Sequence, residues 1–217
     1  MAGVRDTARV ITMQPVLEVH ASGDFDLWPV ADVDSFGYLA LSGELTPREV
    51  GTAVMRIVAC NDIDPEQGDR PPRPADPLGS FLHGLLTFDT LFAAGGFRVT
   101  DSATGVTFLP GCCNGLEDWR EWHRVFDSGW PVDFGHDPDP AAERLGETVL
   151  LTVDAERSDS PVIELPVADL RRLLAGAEDD LAGFLPLATE WADRNLSHYA
   201  VPVVAALARV LDLPPAR

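Results

Sequence analysis

Lysine is missing from this chain, and all 16 of the basic residues among its 217 are arginine. Without an ε-amine the protein can form no Schiff base with a substrate carbonyl or with pyridoxal phosphate, and it has neither a P-loop lysine nor a kinase lysine. GC-rich coding, which exchanges Lys for Arg and favours Ala, Gly and Pro, accounts for the absence without a selective reason. Cysteine is scarce as well: there are three, and Cys112 and Cys113 are adjacent. An odd count leaves one thiol over, and a bridge between neighbours would strain the peptide joining them, so reduced thiols are expected rather than a disulfide framework. No stretch stays apolar for the ~20 residues of a membrane span, and the N-terminal twenty residues lack the apolar core of a secretory signal. The expectation is a cytoplasmic protein with no membrane association. Glycine-rich phosphate loops, G-x-S-x-G elbows and dinucleotide fingerprints do not occur, nor do CxxC, HExxH or EF-hand spacings. No cofactor is expected.

Acid is what the chain has in excess. Its 35 Asp and Glu set a net charge of −19. A field of that sign repels nucleic-acid phosphates and anionic lipid, and it raises the encounter rate with a basic partner. Solubility alone is the competing explanation for the charge. With 46% hydrophobic residues the chain can bury a substantial core, and its length suits a single domain over residues 1–217.

Period and punctuation point to an α+β fold: an antiparallel or mixed sheet of about five or six strands, a central Trp-bearing helix, and a C-terminal run of helices on one face. Val16–His20 and Gly37–Ser42 read as strands. Thr46-Pro47-Arg48-Glu49 is a capping box with proline at the first helical position, followed by Val50, Ala53, Val54, Ile57 and Val58 at helical spacing. Residues 61–80, rich in proline and charge, read as an exposed loop. Phe97–Thr100 and Val106–Leu109 flank a polar turn and predict a hairpin, and Glu147–Val153 and Val162–Leu165 predict two more strands. The stretch 127–144 between them reads as a Gly/Pro-rich loop. Beyond Pro166, three helices are expected: one marked by Val167 to Leu181, one by Phe184 to Leu196, one by Val203 to Leu211.

The chain is organised around Pro110–His123. Asn114 is a good N-cap and Glu117 completes an N-x-x-E box, which predicts a helix carrying Leu116, Trp119, Trp122 and Phe126 inward. By helical period, Trp119 and Trp122 cannot both point straight into the core with Leu116 and Phe126, so one of them is expected at its rim.

Three constellations here carry possible chemistry. Cys112 or Cys113 at a helix start has the electrostatics of a reactive thiol, with His123 or His136 as base and Asp118, Asp133 or Asp137 to orient it. Glu117 and Asp118 oppose thiolate formation, and packing under the helix start is expected to bury at least one sulfur. His136, Asp137 and Asp139, with Cys113, His123 or Asp133 nearby, offer ligand types for a divalent cation, although Pro138 and Pro140 restrict which side chains converge. The third is an aromatic cluster, Trp119, Trp122 and Trp130, bordered by Glu117, Asp118, Glu121 and Asp133, which has the composition of an interface anchor with a charged rim. Together with the net charge it leads to the expected function, a non-enzymatic interaction protein that holds a basic protein partner, as immunity proteins and antitoxins do. A small enzyme built on Cys112 or Cys113, or on the His136 region, is the alternative.

Overall fold

A computed structural model describes residues 9–21, 23–34, 36–63, 70–127 and 130–214. The capping box at Thr46 forms as its sequence requires. Thr46 Oγ1 accepts from the Glu49 amide, and Glu49 Oε2 accepts from the Thr46 amide at 2.8 Å, opening helix α1 (Pro47–Cys60). Val50, Ala53, Val54, Ile57 and Val58 are all buried, so the predicted apolar stripe is the packed face.

Among the described residues eight strands form two antiparallel four-stranded sheets, not the one sheet of about five or six strands expected. The first has the order β2-β1-β3-β4, from β1 (Ile11–Val19), β2 (Gly37–Ala40), β3 (Gly95–Asp101) and β4 (Thr107–Phe108). The predicted hairpin is there, with Val99 opposite Phe108. The second has the order β5-β6-β7-β8, from β5 (Val132–Asp133), β6 (Ala141–Leu145), β7 (Thr148–Thr152) and β8 (Val162–Pro166). Strands β5 and β6 lie in the stretch expected to be loop. They are too short and too mixed in polarity to show a period of two. Gly146, whose φ of +66° opens the tight turn that sets Leu145 opposite Thr148, fixes β6 on β7, and β5 joins β6 with Val132 opposite Ala142.

The exposed loop expected over 61–80 ends early. Asp76 Oδ1 caps the Gly79 amide at 2.7 Å, and helix α2 (Pro77–Thr87) begins within it; residues 64–69 fall outside the described residues. At the C-terminal end, the first two expected helices are one, α4 (Val167–Asn195). Its buried residues Val167, Leu170, Leu174, Ala177, Leu181, Phe184, Ala188 and Trp191 alternate spacings of three and four without a break, so one stripe runs the full length. Pro186 removes one backbone donor from this helix, on its exposed side, where water can take the bond's place. A 3₁₀ turn (Ser197–Tyr199) and α5 (Ala200–Val210) follow.

The chain divides into two compact units. One contains the described residues of Met1–Gln14, Phe97–Asn114 and Arg120–Ala177; the other contains Pro15–Gly96, Gly115–Trp119 and the described residues of Glu178–Arg217. In the first, the Trp122 ring stacks on Phe134 with centroids 4.2 Å apart and meets Phe108 edge-on, and the Arg171 guanidinium lies over Phe126. In the second, Trp28 packs against Phe25, Phe81 and Trp191 and donates Nε1–H to the Gly51 carbonyl at 2.8 Å. Buried Asn61 is fully used there: its amide donates to the Ile57 and Phe92 carbonyls, and its carbonyl accepts from the Phe92 amide.

Candidate functional site

The central segment is helical but not α-helical over most of its length. Leu116–His123 is a 3₁₀ helix of eight residues, and only Arg124–Asp127 (α3) winds as an α-helix. Three residues per turn set Leu116, Trp119, Trp122 and Val125 on one line, and all four are buried. The tighter winding resolves the conflict in the sequence reading. Trp119 and Trp122 both point inward, at 3% and 2% exposure, because a period of 3.0 does not rotate the second ring away from the first. Trp119 donates its Nε1–H to the Leu211 carbonyl at 2.9 Å, which satisfies the indole's one polar atom. Neither ring is available as a surface anchor.

The helix begins at Leu116, two residues beyond the expected N-cap Asn114, whose amide donates to the Gly111 carbonyl at 3.4 Å. Glu117 Oε2 accepts from the Ala93 amide at 2.9 Å, and the carboxylate tucks so closely against Gly115 that a Cβ there would lie 2.2 Å from its oxygens. Burial is the first cause that raises the Glu117 carboxyl above its ordinary value; the Ala93 amide pulls the other way, and the charge of Asp118 adds to the rise. Glu117 is thus a structural acceptor rather than a rim charge. Asp118 is exposed, and Glu121 pairs with Arg124. Trp130 and Asp133 are both exposed, the indole at 80%.

The two stretches PGCC and FGHDP meet backbone to backbone. The Gly111 amide donates to the Phe134 carbonyl at 2.9 Å; Cys112 and His136 exchange both of their hydrogen bonds, N–H to O distances being 2.5 and 3.1 Å. Two glycines make this approach possible. A Cβ on Gly111 would sit 2.4 Å from the Pro138 carbonyl oxygen, and one on Gly135, at φ +103°, 2.6 Å from the Cys112 oxygen. Neighbouring side chains on an extended backbone point to opposite faces. Cys113, however, has φ +63°. The left-handed turn brings both sulfurs to the same side, 3.7 Å apart, a thiol contact and not a disulfide.

Cys112, Cys113 and His136 form a group whose ligand atoms all lie within 4.8 Å of one another, and all three residues are exposed. The expectation that packing would bury a sulfur is therefore corrected: the turn at Cys113 directs both outward. His136 Nδ1 lies 3.2 Å from Asp137 Oδ2. That hydrogen bond, followed by one to Cys113, holds the imidazole pKa above its ordinary value. Asp139 does not join the group; its amide faces Asp154 Oδ1 at 3.5 Å. His123 also stands apart, its ring 6.3 Å from that of Phe126. The sequence held the signal for this meeting, a glycine beside the cysteines and another beside His136, but no spacing rule joins segments more than twenty residues apart.

In the other unit, an apolar groove of about 440 Å³ lies along the second half of α4, between Leu185 and Pro186 on one side and Leu213 and Pro214 on the other. Glu190 and Asp193 also line it. Glu190 is already paired with Arg194. No helix among the described residues is long and apolar enough to cross a membrane. The chain matches no protein-family model, no curated protein and no solved structure, so its own geometry has to carry the functional reading.

Proposed function

We propose that the protein is a non-enzymatic interaction protein that uses an acidic surface to hold a basic protein partner, in the manner of an immunity protein or antitoxin. The observation that carries this reading is Trp130, a large aromatic ring left 80% exposed. From Asp127 to Asp139 its stretch holds four aspartates and no arginine. A desolvated aromatic anchor supplies affinity, while surrounding carboxylates supply association rate and the choice of a basic partner. Asp127, Asp133 and Asp137 are exposed and suit that rim. Trp122, stacked on Phe134, backs the segment from the buried side.

Capture of a partner at low and at moderate salt tests the reading, because a steered acidic interface weakens as salt rises. Trp130→Ala should weaken the complex by about 2 kcal/mol or more while circular dichroism stays unchanged. Binding indifferent both to salt and to this substitution would remove the proposal. The alternative, a small enzyme with a Cys112 or Cys113 nucleophile, draws on the Cys113–His136–Asp137 chain of contacts. Rapid stoichiometric alkylation of one of these thiols at neutral pH, with Cys60 spared, would favour it.

A further inference from the structure

The geometry points to a binding site for a thiophilic d¹⁰ cation such as Zn²⁺, formed by the Cys112 and Cys113 sulfurs and the His136 imidazole. Two thiolates on one tetrahedral Zn²⁺, with Zn–S bonds of about 2.3 Å, stand about 3.8 Å apart. The sulfurs here are 3.7 Å apart before any ion is considered. The third ligand is within reach of both, since one nitrogen of the imidazole and the two sulfurs lie within 4.8 Å of one another. Binding draws them in by small side-chain rotations, with the thiol protons released to solvent.

The backbone is shaped to keep this arrangement. Cys113 and Asp137 are both left-handed, at φ +63° and +51°, and they flank the paired residues Cys112 and His136 on the two strands of the bridge. A left-handed backbone is unfavourable for a non-glycine residue. Asp137 adds the outer contact that metal-bound histidines commonly have. An imidazole that donates Nδ1–H to the Asp137 carboxylate presents its lone pair on Nε2, so the carboxylate fixes tautomer and ring together. Two sulfurs and one nitrogen select Zn²⁺, Cd²⁺ or Cu⁺ over Mg²⁺ and Ca²⁺, which want oxygen. All three ligand residues are exposed, so a fourth position stays open to water or to a donor from another molecule.

The test uses the full reduced chain, titrated with Zn²⁺ against a chromophoric chelator, and with Co²⁺ as a spectroscopic substitute. One equivalent of Zn²⁺ should bind, and Co²⁺ should give sulfur-to-metal charge-transfer absorption. Cys112→Ser, Cys113→Ser and His136→Ala should each lower Zn²⁺ affinity at least tenfold. Asp137→Asn should lower it about tenfold, the low end of the range for an outer-shell partner. Cys60→Ser should bind as wild type does. Wild-type protein with no charge-transfer absorption would overturn the inference, and so would Zn²⁺ binding that survives in a Cys112→Ser/Cys113→Ser double variant. Because the cobalt spectrum is read on the unaltered chain, a variant that misfolds cannot hide the answer. Partner capture by Trp130 is measured separately and stands or falls on its own.

Discussion

Two segments of this protein carry the same helix-start signature and use it differently. At Thr46 the threonine and Glu49 exchange hydrogen bonds and an α-helix follows; at Asn114 the glutamate three residues on turns away to the Ala93 amide and a 3₁₀ helix follows. The two carboxyls respond in opposite directions. Glu49 is held below its ordinary value, first by the Thr46 hydroxyl and then by the Thr46 amide, whereas burial lifts Glu117 above it. A capping box is worth about 1 kcal/mol, and burying a large aromatic is worth more. Where Trp119 and Trp122 both have to reach a core, packing dictates the winding. Around Thr46 no such demand competes, so the local rule holds.

The largest break in this comparison should come from Trp122→Ala. Deleting a ring stacked on Phe134 and edge-on to Phe108 should cost about 3–5 kcal/mol in denaturant unfolding. A loss near that of a cap would mean that packing does not set the winding. Glu117→Ala comes next: it leaves the Ala93 amide without its acceptor and should cost about 1–3 kcal/mol, with Glu117→Gln recovering most of the loss by keeping an oxygen there. Thr46→Ala removes one side of the working box and should cost about 1 kcal/mol.

The smallest effect is in the pH dependence, and its sign differs between the two glutamates. The native Glu49 carboxyl is depressed, so its contribution is full above the unfolded value and is lost as pH falls through the native one. The native Glu117 carboxyl is raised, so its penalty is absent below the unfolded value and grows as pH rises through the native one. Stability measured from pH 3 to pH 7 should therefore show Glu49→Gln most harmful at the neutral end. Glu117→Gln should be least harmful there. Parallel pH profiles for the two variants would show that the glutamates share one environment after all.

Elements whose own residues settle their conformation were legible. Helix α1, the β3–β4 hairpin, and strands β7 and β8 carry caps, turn residues or apolar runs that need nothing distant to make sense. Strands β5 and β6 were not legible, because two to five residues of mixed polarity become a strand only when a neighbour pairs with them. The sequence divides helix α4 between Leu181 and Phe184, although the buried stripe crosses that point without a break. For the candidate sites, the sequence singled out Cys112, Cys113, His136 and Trp130 as chemistry-bearing residues. It could not tell which would meet. One of Trp119 and Trp122 is expected at the rim only if the period is 3.6; at 3.0 both are buried.

Legible in the residues alone is the chemical inventory: an acidic, lysine-free chain with an α+β pattern and three cysteines with no disulfide framework to join them. Residue type and short-range spacing are enough for that, since capping, turn formation and net charge act within a few residues or sum over all of them. The two-sheet arrangement, the 3₁₀ winding of the segment that carries Trp122, and the meeting of Cys112 and Cys113 with His136 emerge in the folded chain alone. Each of these depends on segments distant in the chain approaching closely. That approach rests on particulars such as the missing Cβ atoms of Gly111 and Gly135, whose consequence appears only once another backbone lies against them.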